Sequence, residues 1–578
     1  MAQSRSSEHM QHAAILDARP WVKHYERGVP AEVDVPDITL PQMLRRTAER
    51  FPRKTFATFY GRDFTYGEID EQSDRFAHRL IELGVEPGQP VMLVLPNVPQ
   101  YLVVAYGVLK AGGIVAAINP LLTASEIETL AVESGARIII TLDRFWDVIE
   151  PLLERGQFQS AIVTGVEDGL PRIKRWLYPL KYRNEMVDVA HEPARGRYQY
   201  TQLLKVAPPG PVDVQRAPDD AAVFQFTGGT TGLPKAAVLT HRNLVANTIQ
   251  VTSWLTQLRD GEEVVMAILP FFHAYGGTLC LFMAVQVAAR VILVPRFDVK
   301  DVMELIEKYQ PTILPGVPTL YNALNRAAQN NPARQRALRS INICVSGGAP
   351  LPPEVARRFS EITGGVVVEG YGLSEASPVT HVNPLDGRAR DGSIGLPLPS
   401  TEVRLVDPDT GLDVGPGEIG EILIRGPQVM AGYWKRREET AAVLDADGWL
   451  HTGDLALMDE DGFFRIVDRI KDVIITGGEN VYPREVEDVL MSHPKILEAA
   501  VAGVPHAVGG EIVKAYIVVK PGEQLDRREV IQFCTQHLAR YKVPRQVEFR
   551  DELPKSAAGK ILRRLLEQPT GGDNETGN

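Results

Sequence analysis

The chain has few cysteines. It holds three, Cys280, Cys344 and Cys534, in 578 residues. Three scattered thiols are too few for a disulfide framework or a cysteine-rich metal site. Cys280 and Cys344 stand in apolar runs, which predicts buried and unreactive thiols.

The chain also lacks a long, uninterrupted apolar run. Its first twenty residues are polar and have no apolar core of the kind found in signal peptides. Of its two most apolar stretches, 98–118 carries Lys110, and 279–294 is short and contains Arg290. A helix that spans a bilayer needs about 20 consecutive apolar residues. We therefore expect a soluble, cytoplasmic protein.

An excess of basic residues is missing as well. Lys and Arg number 62 against 73 Asp and Glu, which gives a formal net charge of −11. Because binding to nucleic acid is dominated by basic surface, this balance argues against nucleic acid as a partner. It leaves room for a single phosphate site, which needs only local charge and backbone N–H groups.

Segment 171–183 is a basic exception within this acidic chain. It contains three aromatic residues, no acid and five basic side chains, Arg172, Lys174, Arg175, Lys181 and Arg183. Two interpretations stay open. The segment is either a solvated surface insertion or a patch that contacts anionic lipid headgroups, with Trp176, Tyr178 and Tyr182 at the interface.

Helix and strand patterns alternate through most of the chain. Thr65 and Glu68 have capping-box spacing before a helical pattern that stops at Gly84, and the apolar run 91–97 is typical of a strand buried on both faces. This alternation predicts an α/β fold with largely parallel sheets. From the chain length and the changes in residue pattern along it, we expect four segments. They are a disordered segment over 1–25, a large domain over 26–470, a small α+β domain over 471–568 and a disordered tail over 569–578.

The stretch AAVFQFTGGTTGLPKAAVLTH (221–241) is the most informative. An apolar strand leads into a turn rich in Gly and Thr with one lysine, Lys235, and a second apolar strand follows. Gly lets backbone N–H groups approach an anion, and hydroxyls and lysine add donors and charge. The turn is not a Walker A loop, because Leu233 and Pro234 separate Gly232 from the lysine. A nucleotide triphosphate loop is the favoured interpretation, and a hairpin without a ligand is the alternative.

TGGTTGLPK (227–235) resembles the phosphate loop of the acyl-adenylate-forming enzymes. This superfamily comprises acyl-CoA synthetases, firefly luciferases and the adenylation domains of peptide synthetases, and the Thr-Gly-Gly form is similar to that of long-chain fatty acyl-CoA ligases. Further motifs follow in the family's order over residues 40–565. The resemblance implies a large multi-subdomain N-terminal domain with mostly parallel sheets and a smaller, mobile α+β C-terminal domain.

The resemblance also implies a nucleotide site. Tyr371 would stack on the purine, Asp454 would hold the ribose, Arg469 would contact ribose or phosphate, and Thr230 and Glu375 would hold Mg²⁺. The full set implied to bind ATP or AMP is Thr227, Gly228, Gly229, Thr230, Thr231, Gly232, Lys235, Gly347, Gly348, Ala349, Gly370, Tyr371, Gly372, Asp454 and Arg469. Residues 372–376 match the G-x-S-x-G elbow of serine hydrolases only in part, because the second Gly is absent. A serine hydrolase is therefore disfavoured.

The remaining motifs imply catalysis and acyl binding. PFFHAYG (270–276) resembles the motif at the mouth of the acyl pocket, which implicates Phe271, Phe272, Tyr275 and Gly276. Its His273 would lie where the carboxylate meets ATP, and Lys560 would be the adenylation lysine, so both are assigned catalytic roles with Glu375. Lys471 stands at the hinge position, and Gly477, Gly478 and Glu479 would serve the half-reaction with CoA.

By this resemblance the chain is expected to convert a medium- or long-chain fatty acid into acyl-AMP with release of pyrophosphate, and then into acyl-CoA. ATP and CoA would be substrates and Mg²⁺ the cofactor. Two alternatives stay open: an acyl-AMP ligase that loads a carrier protein, and a CoA ligase for an aryl acid. A homodimer and peripheral contact with the inner membrane face through 171–183 are further expectations.

Overall fold

The computed structural model describes residues 15–182, 186–212, 214–227, 234–476, 479–506, 510–555 and 561–566. These residues form two compact units. The larger unit contains 21–402 and 424–450, and the smaller unit contains the described parts of 1–20, 403–423 and 451–578. The α/β class is confirmed, while the boundary expected near residue 470 stays a prediction.

Strands and helices alternate along the chain. In order, the strands are β1 (Thr55–Phe59), β2 (Arg62–Thr65), β3 (Pro90–Val94), β4 (Ile114–Ala117), β5 (Ile138–Leu142), β6 (Ser160–Thr164), β7 (Arg197–Gln199), β8 (Ala221–Thr227), β9 (Lys235–Thr240), β10 (Val264–Ala267), β11 (Arg290–Leu293), β12 (Ile343–Ser346), β13 (Val366–Gly372), β14 (Val379–Val382), β15 (Leu396–Pro397), β16 (Glu402–Val406), β17 (Gly420–Arg425), β18 (Gly432–Tyr433), β19 (Leu450–Met458), β20 (Phe464–Arg469), β21 (Ile474–Thr476), β22 (Glu479–Val481), β23 (Ile496–His506), β24 (Gly510–Val519) and β25 (Gln546–Phe549). The α-helices are α1 (Leu40–Arg50), α2 (Tyr66–Glu82), α3 (Pro99–Lys110), α4 (Ala124–Ser134), α5 (Trp146–Glu154), α6 (Arg172–Tyr182), α7 (Tyr200–Val206), α8 (His241–Trp254), α9 (Ala274–Gly276), α10 (Met283–Gln286), α11 (Val299–Tyr309), α12 (Pro318–Ala328), α13 (Pro332–Leu338), α14 (Pro353–Thr363), α15 (Arg437–Ala441), α16 (Pro483–Met491) and α17 (Arg527–His537).

An eight-stranded sheet dominates the larger unit. Its order is β18-β9-β8-β4-β3-β5-β6-β7. The pairs from β8 through β4, β3, β5 and β6 to β7 are parallel, whereas β8 with β9 and β9 with β18 are antiparallel. The antiparallel edge begins where the Gly- and Thr-rich segment joins β8 to β9.

Two four-stranded sheets complete the framework of the larger unit. Their orders are β10-β11-β1-β2 and β12-β13-β14-β15. Ile313 joins them, because it forms parallel bridges to Val265 on one side and to Ile343 on the other. Met266, Ile292 and Tyr321 belong to the core packed against this framework.

The smaller unit contains two sheets. One sheet has the order β16-β17-β19-β20, and the other has the order β22-β21-β24-β23 with β25 parallel to β24. The second sheet packs with α16 and α17 around a hydrophobic core that includes Ile474, Val486, Ile517 and Cys534. The part of the chain after residue 470 thus holds both the strands and the helices of an α+β class.

The helix starts follow the predicted local chemistry. The Thr65 side chain accepts a hydrogen bond from the Glu68 amide at the start of α2, and Thr123 and Glu126 form a reciprocal capping box at the start of α4. Every residue of β3 is buried, as the continuous apolar run predicts.

The most apolar helix, α3, is buried along its whole length. Lys110 at its end forms ion pairs with Asp70 at 2.6 Å and Asp74 at 3.0 Å, so its charge is compensated inside the fold. Among the described helices, none combines the length and apolar character that crossing a bilayer requires.

The three thiols are buried, as predicted for two of them. Burial raises the pKa of Cys280 and of Cys344 far above the usual range for a thiol. It raises the pKa of Cys534 to about 11. All three are therefore protonated near neutral pH.

Candidate active site

Strands β8 and β9 form the two sides of the predicted phosphate loop. Thr227 at the end of β8 pairs with Lys235 at the start of β9. Residues Gly228, Gly229, Thr230, Thr231 and Gly232 lie outside the described residues. The described ends of the loop therefore place one hydroxyl and one ammonium group opposite each other at the end of a hairpin.

Tyr433 links the two charged side chains predicted to handle phosphate and metal. The Lys235 ammonium lies 5.1 Å from the centroid of the Tyr433 ring, a cation–π distance. The Tyr433 hydroxyl donates a 2.8 Å hydrogen bond to Glu375 Oε1. Burial, and then the negative charge of Glu375, raise the pKa of Tyr433 well above its usual value, so the hydroxyl stays a donor.

The backbone also fixes Glu375. This residue lies in the short 3₁₀ turn Ser374–Ala376, and its carbonyl accepts a 2.8 Å hydrogen bond from the Met430 amide. Tyr433 is on β18, which pairs with β9. Sequence reasoning missed Tyr433, because its role depends on an edge strand of two residues that no periodicity reveals.

The predicted adenine motifs are held by close backbone packing. A Cβ on Gly372 would lie 2.0 Å from the carbonyl oxygen of Pro378, so no larger residue fits there. Gly348 has a φ of +80°, which favours glycine. Tyr371 pairs with His381 across β13 and β14, and their rings make an edge contact at 5.9 Å. Burial lowers the pKa of His381 to about 3, so this imidazole is neutral near pH 7.

The other residues of these motifs lie close by. A Cβ on Gly347 would come within 3.1 Å of the Tyr275 ring, and the Tyr275 hydroxyl donates a 2.6 Å hydrogen bond to the carbonyl of Val345. Tyr275 thus packs directly against the turn at Gly347. Gly370 lies on β13, and Ala349 follows Gly348 half-buried.

A narrow cavity runs beside the hairpin. It is lined by Tyr101, Ala105, Tyr106, Leu109, Val115, Ala117, Val223, Gln225, Leu239, Leu244, Phe271, Phe272, Ala274, Gly277, Leu281 and Phe282. Of the predicted acyl-pocket residues, Phe271 and Phe272 line it, whereas Tyr275 and Gly276 are not among its lining residues. One wall is the π-helical stretch Gly277–Phe282 between α9 and α10, a kind of irregularity that is frequent at functional sites.

Gln225 supplies a polar group at this cavity, and His273 stands in the chain between two of its lining residues, Phe272 and Ala274. Gln225 is buried and donates a 3.2 Å hydrogen bond to the carbonyl of Phe272. His273 precedes α9, and its Nδ1 accepts a 3.3 Å hydrogen bond from the Tyr275 amide. In a neutral ring this bond leaves the proton on Nε2. Sequence reasoning missed Gln225, although its place two residues before Thr227 puts both side chains on one face of the strand.

The smaller unit brings together Asp454 and Arg469. These residues pair across β19 and β20, and Arg469 Nε lies 3.0 Å from Asp454 Oδ1. Asp454 is buried. Glu421 holds the turn before it, accepting a 3.0 Å hydrogen bond from the Gly453 amide and lying 3.1 Å from His451 Nδ1. Glu421 was not predicted, since a carboxylate on a short strand carries no motif signal.

Arg563 organises the smaller unit near the predicted hinge. Its guanidinium lies 2.7 Å from Glu487, 3.0 Å from Asp472 and 3.4 Å from Asp468. Burial tends to lower the pKa of Arg563, but the charges of Glu487 and Asp468 outweigh it and raise the value. Burial raises the pKa of Glu487 and of Asp468, and Arg563 opposes both shifts.

The hinge and catalytic predictions can be located in part. Lys471 is exposed within the 3₁₀ turn Ile470–Asp472, beside one partner of Arg563. Glu479 begins β22 and is exposed. Gly477, Gly478 and Lys560 lie outside the described residues.

Comparison with known proteins decides the family. Residues 44–434 match the AMP-binding enzyme family, and residues 485–560 match the AMP-binding enzyme C-terminal domain. The chain belongs to the AMP-binding enzyme family.

Relatives of this AMP-binding enzyme align over nearly its whole length. A long-chain-fatty-acid–CoA ligase of Bacillus subtilis is 44% identical over 556 residues, covering 96% of this chain and 98% of the relative. A protein of the same description from Salmonella typhimurium is 41% identical over 564 residues, with the same coverage of both chains.

Solved structures agree with the fold. The ATP-bound MatB of Rhodopseudomonas palustris has a TM-score of 0.80 at 29% identity, covering 92% of this chain and 98% of MatB. A benzoate CoA ligase of Burkholderia xenovorans has a TM-score of 0.78 at 29% identity, covering 92% of this chain and 99% of the ligase.

Removing the Tyr433 hydroxyl should weaken ATP use. In Tyr433→Phe the ring still faces Lys235, but Glu375 loses a hydrogen bond of the charge-assisted kind, worth about 1.5–3 kcal/mol. We expect kcat/KM for ATP to fall roughly tenfold or more, and Tyr433→Leu to fall further because it also removes the cation–π contact. Pyrophosphate release at varied ATP measures both. Tyr60→Phe, at an exposed tyrosine, is the control, and wild-type kinetics for Tyr433→Phe would contradict the assignment.

Removing Arg563 should destabilise the smaller unit. Arg563→Met leaves Glu487 and Asp468 without their cation, a loss of about 3–5 kcal/mol when one partner of a buried pair is removed. Both carboxyls already have raised pKa values in the folded state, so their contribution to stability falls as pH rises above about 4. We therefore expect the defect to be smaller at pH 5 than at pH 8.

Urea unfolding followed by limited proteolysis of the smaller unit measures this effect. The matched variant is Arg528→Met, at an exposed arginine of α17. Equal losses in the two variants, or a defect that deepens as pH falls, would refute the role given to Arg563.

Proposed function

We propose that this AMP-binding enzyme is a long-chain fatty acid–CoA ligase. One observation carries the proposal: a single strand serves both the cavity and the phosphate loop. Val223 and Gln225 of β8 line the apolar cavity, and Thr227, next on the same face, begins the loop. An acid whose chain occupies the cavity would therefore present its carboxylate beside the nucleotide. The names of the Bacillus and Salmonella relatives support a fatty acid as this substrate.

The first half-reaction makes the carboxylate reactive. An oxygen of the acid attacks the α-phosphorus of ATP, the bond to the bridging oxygen breaks, and pyrophosphate leaves with acyl-AMP as the product. The protein has little covalent work to do, so its task is to align the reactants and to neutralise charge. Lys235 and Thr227, with Thr230 and Thr231, would hold the phosphates, and Lys560 would reach an oxygen shared by the acid and the α-phosphate.

Mg²⁺ fits the donors present. Glu375 supplies a half-buried carboxylate and Thr230 a hydroxyl, both hard oxygen ligands of the kind Mg²⁺ prefers. Among the described residues there is no cluster of three or more His, Cys, Asp or Glu that could hold a metal. The remaining positions would be filled by phosphate and water, which is usual for Mg²⁺. The ion would neutralise charge on the phosphates.

In the second half-reaction the thiolate of CoA attacks the acyl carbonyl, and AMP leaves. Asp454 and Arg469 would keep hold of the ribose, while Gly477, Gly478 and Glu479 would enter the site as the chain reorients at Lys471. His273 would stay next to the carbonyl in both steps.

The proposal also includes peripheral contact with the inner membrane face through 171–183. It further includes assembly as a homodimer, and light scattering measures this oligomeric state.

The acyl cavity must widen when substrate enters. The space open to the centre of a water-sized sphere is about 30 Å³, room for about two waters. Gly277 faces this space, and a Cβ there would meet its nearest atoms at 3.5 and 3.8 Å, which are ordinary contacts. Added side-chain atoms at this position would therefore fill the cavity without straining the backbone.

Gly277→Leu should shift the preference toward shorter acids. We expect kcat/KM for long-chain acids to fall at least tenfold, while medium-chain acids lose little, because the added side chain takes up part of the cavity and a longer chain needs more of that space. Gly277→Ala should give a smaller shift of the same direction. Equal losses at all chain lengths would remove the cavity from consideration as the acyl site.

The function is tested by pyrophosphate and AMP release with and without CoA, over fatty acids from short to long and over benzoate. We expect many turnovers only with CoA and a maximum at long chains. Lys560→Ala should be inactive in forming acyl-AMP. Lys555→Ala removes a nearby lysine that pairs with Glu498 at 2.5 Å, and it should stay active. Release that is indifferent to CoA would support a carrier-loading acyl-AMP ligase instead.

The one other candidate that an observation favours is an aryl acid ligase, since a benzoate CoA ligase has the same fold. Turnover with benzoate above that with long-chain acids would establish it.

A further inference from the structure

Helix α6 presents an apolar face to the outside of the larger unit. Ile173, Trp176, Leu177 and Leu180 are 75%, 75%, 44% and 77% exposed. Their spacing of three and four residues places them in one stripe along the helix. A helix on the surface of a globular protein normally turns such a stripe toward the core. The stripe of α6 is turned outward instead, which is unfavourable if only water surrounds the helix.

The opposite side of α6 attaches the helix to the unit. Lys174 Nζ donates a 2.8 Å hydrogen bond to the carbonyl of Tyr60, and Arg175 lies 3.0 Å from Asp168. The Tyr178 and Tyr182 rings pack together at 4.7 Å and are half-buried. The polar contacts therefore hold α6 in place and direct the apolar stripe outward.

The charge on α6 selects the kind of partner. The helix carries Arg172, Lys174, Arg175 and Lys181 and no acid, within a chain of net charge −11. Such a combination of an exposed apolar stripe and flanking basic residues is typical of helices that lie in a membrane interface. A second copy of the chain fits poorly, because pairing α6 with itself would oppose two sets of like charge.

We propose that α6 lies in the surface of an anionic bilayer, with Ile173, Trp176, Leu177 and Leu180 inserted among the acyl chains and the net positive charge of the helix drawn to the anionic headgroups. The inference rests on the proposed function, whose substrate is itself a lipid that partitions into bilayers. It assigns the membrane contact to helix α6 and to lipids that carry a negative charge. The apolar face of such a helix is buried about 5–10 Å into the boundary between headgroups and acyl chains.

Trp176 makes insertion directly measurable. Trp21, Trp146, Trp254 and Trp449 are buried at 1–6% exposure, and Trp434 is half-buried, so the sixth tryptophan, Trp176, is the exposed one. Full-length protein is mixed with vesicles of phosphatidylcholine alone or with phosphatidylglycerol added, some carrying brominated acyl chains. We expect co-sedimentation with the anionic vesicles, weakened by salt, and quenching by the brominated chains that is lost in Trp176→Phe.

Matched variants locate the contact. Ile173→Ser with Leu180→Ser should lower affinity for the anionic vesicles at least tenfold. Leu121→Ser with Val132→Ser removes two other aliphatic side chains, 80% and 67% exposed, and should leave affinity unchanged. Equal losses in the two double variants, or no binding of wild type to anionic vesicles, would overturn the proposal. Loss of a dimer in the α6 variant, seen by light scattering, would point to a second copy instead.

The same preparations separate this inference from the proposed function. Both double variants should release pyrophosphate at the wild-type rate with a medium-chain acid in free solution. Activity without vesicle binding would sink the inference alone. Vesicle binding without activity toward any acid would sink the proposed function and leave the membrane contact.

Discussion

The antiparallel pairing of β9 with β8 is the constraint on which the candidate site depends. Elsewhere from β8 to β7 the eight-stranded sheet is parallel, and successive parallel strands need long crossovers. Reversing direction once allows a short connection, so the segment after Thr227 returns at Lys235, opposite its start. The reversed edge then accepts β18, which delivers Tyr433 to Lys235 and Glu375. A single change of strand direction thus gathers the groups that would face a polyphosphate.

Charge is organised differently in the two units. In the larger unit, Lys235 and Glu375 are both half-buried, and both contact the uncharged phenol of Tyr433. This arrangement keeps each charge available to a ligand. In the smaller unit, Arg563 is engaged by three carboxylates and serves the fold itself. One of these, Asp472, adjoins Lys471, and Arg563 follows shortly after Lys560. The ion network therefore ties the residues next to the predicted hinge to those next to the predicted catalytic lysine.

Local signals predicted what local chemistry controls. The start of α2 at its Thr65 cap, the buried strand β3 and the pairing of β8 with β9 on the two sides of the predicted phosphate loop follow from capping, apolar runs and turn residues. Contacts between distant segments were not predictable in this way. The hydrogen bond of Tyr433 to Glu375 spans 58 residues, and Arg563 lies 76 residues from Glu487. Neither pair forms a motif, because only the tertiary fold brings the partners together. Phe271 and Phe272, which the sequence predicts for an acyl pocket, line a cavity, but the width of that cavity depends on packing along the π-helical stretch that no residue pattern encodes.

The buried, protonated thiols have a consequence for chemical selectivity. An acyl-adenylate is an electrophile that any accessible thiolate could capture, and the enzyme would then acylate itself. The thiolate is the nucleophilic form of cysteine, and burial raises the pKa of Cys280, Cys344 and Cys534 above the usual thiol value. Even Cys280, within the π-helical stretch that forms one wall of the cavity, is therefore unreactive. The chain thus offers no sulfur nucleophile of its own, and an incoming thiol cofactor would meet no internal competitor for the activated acyl group.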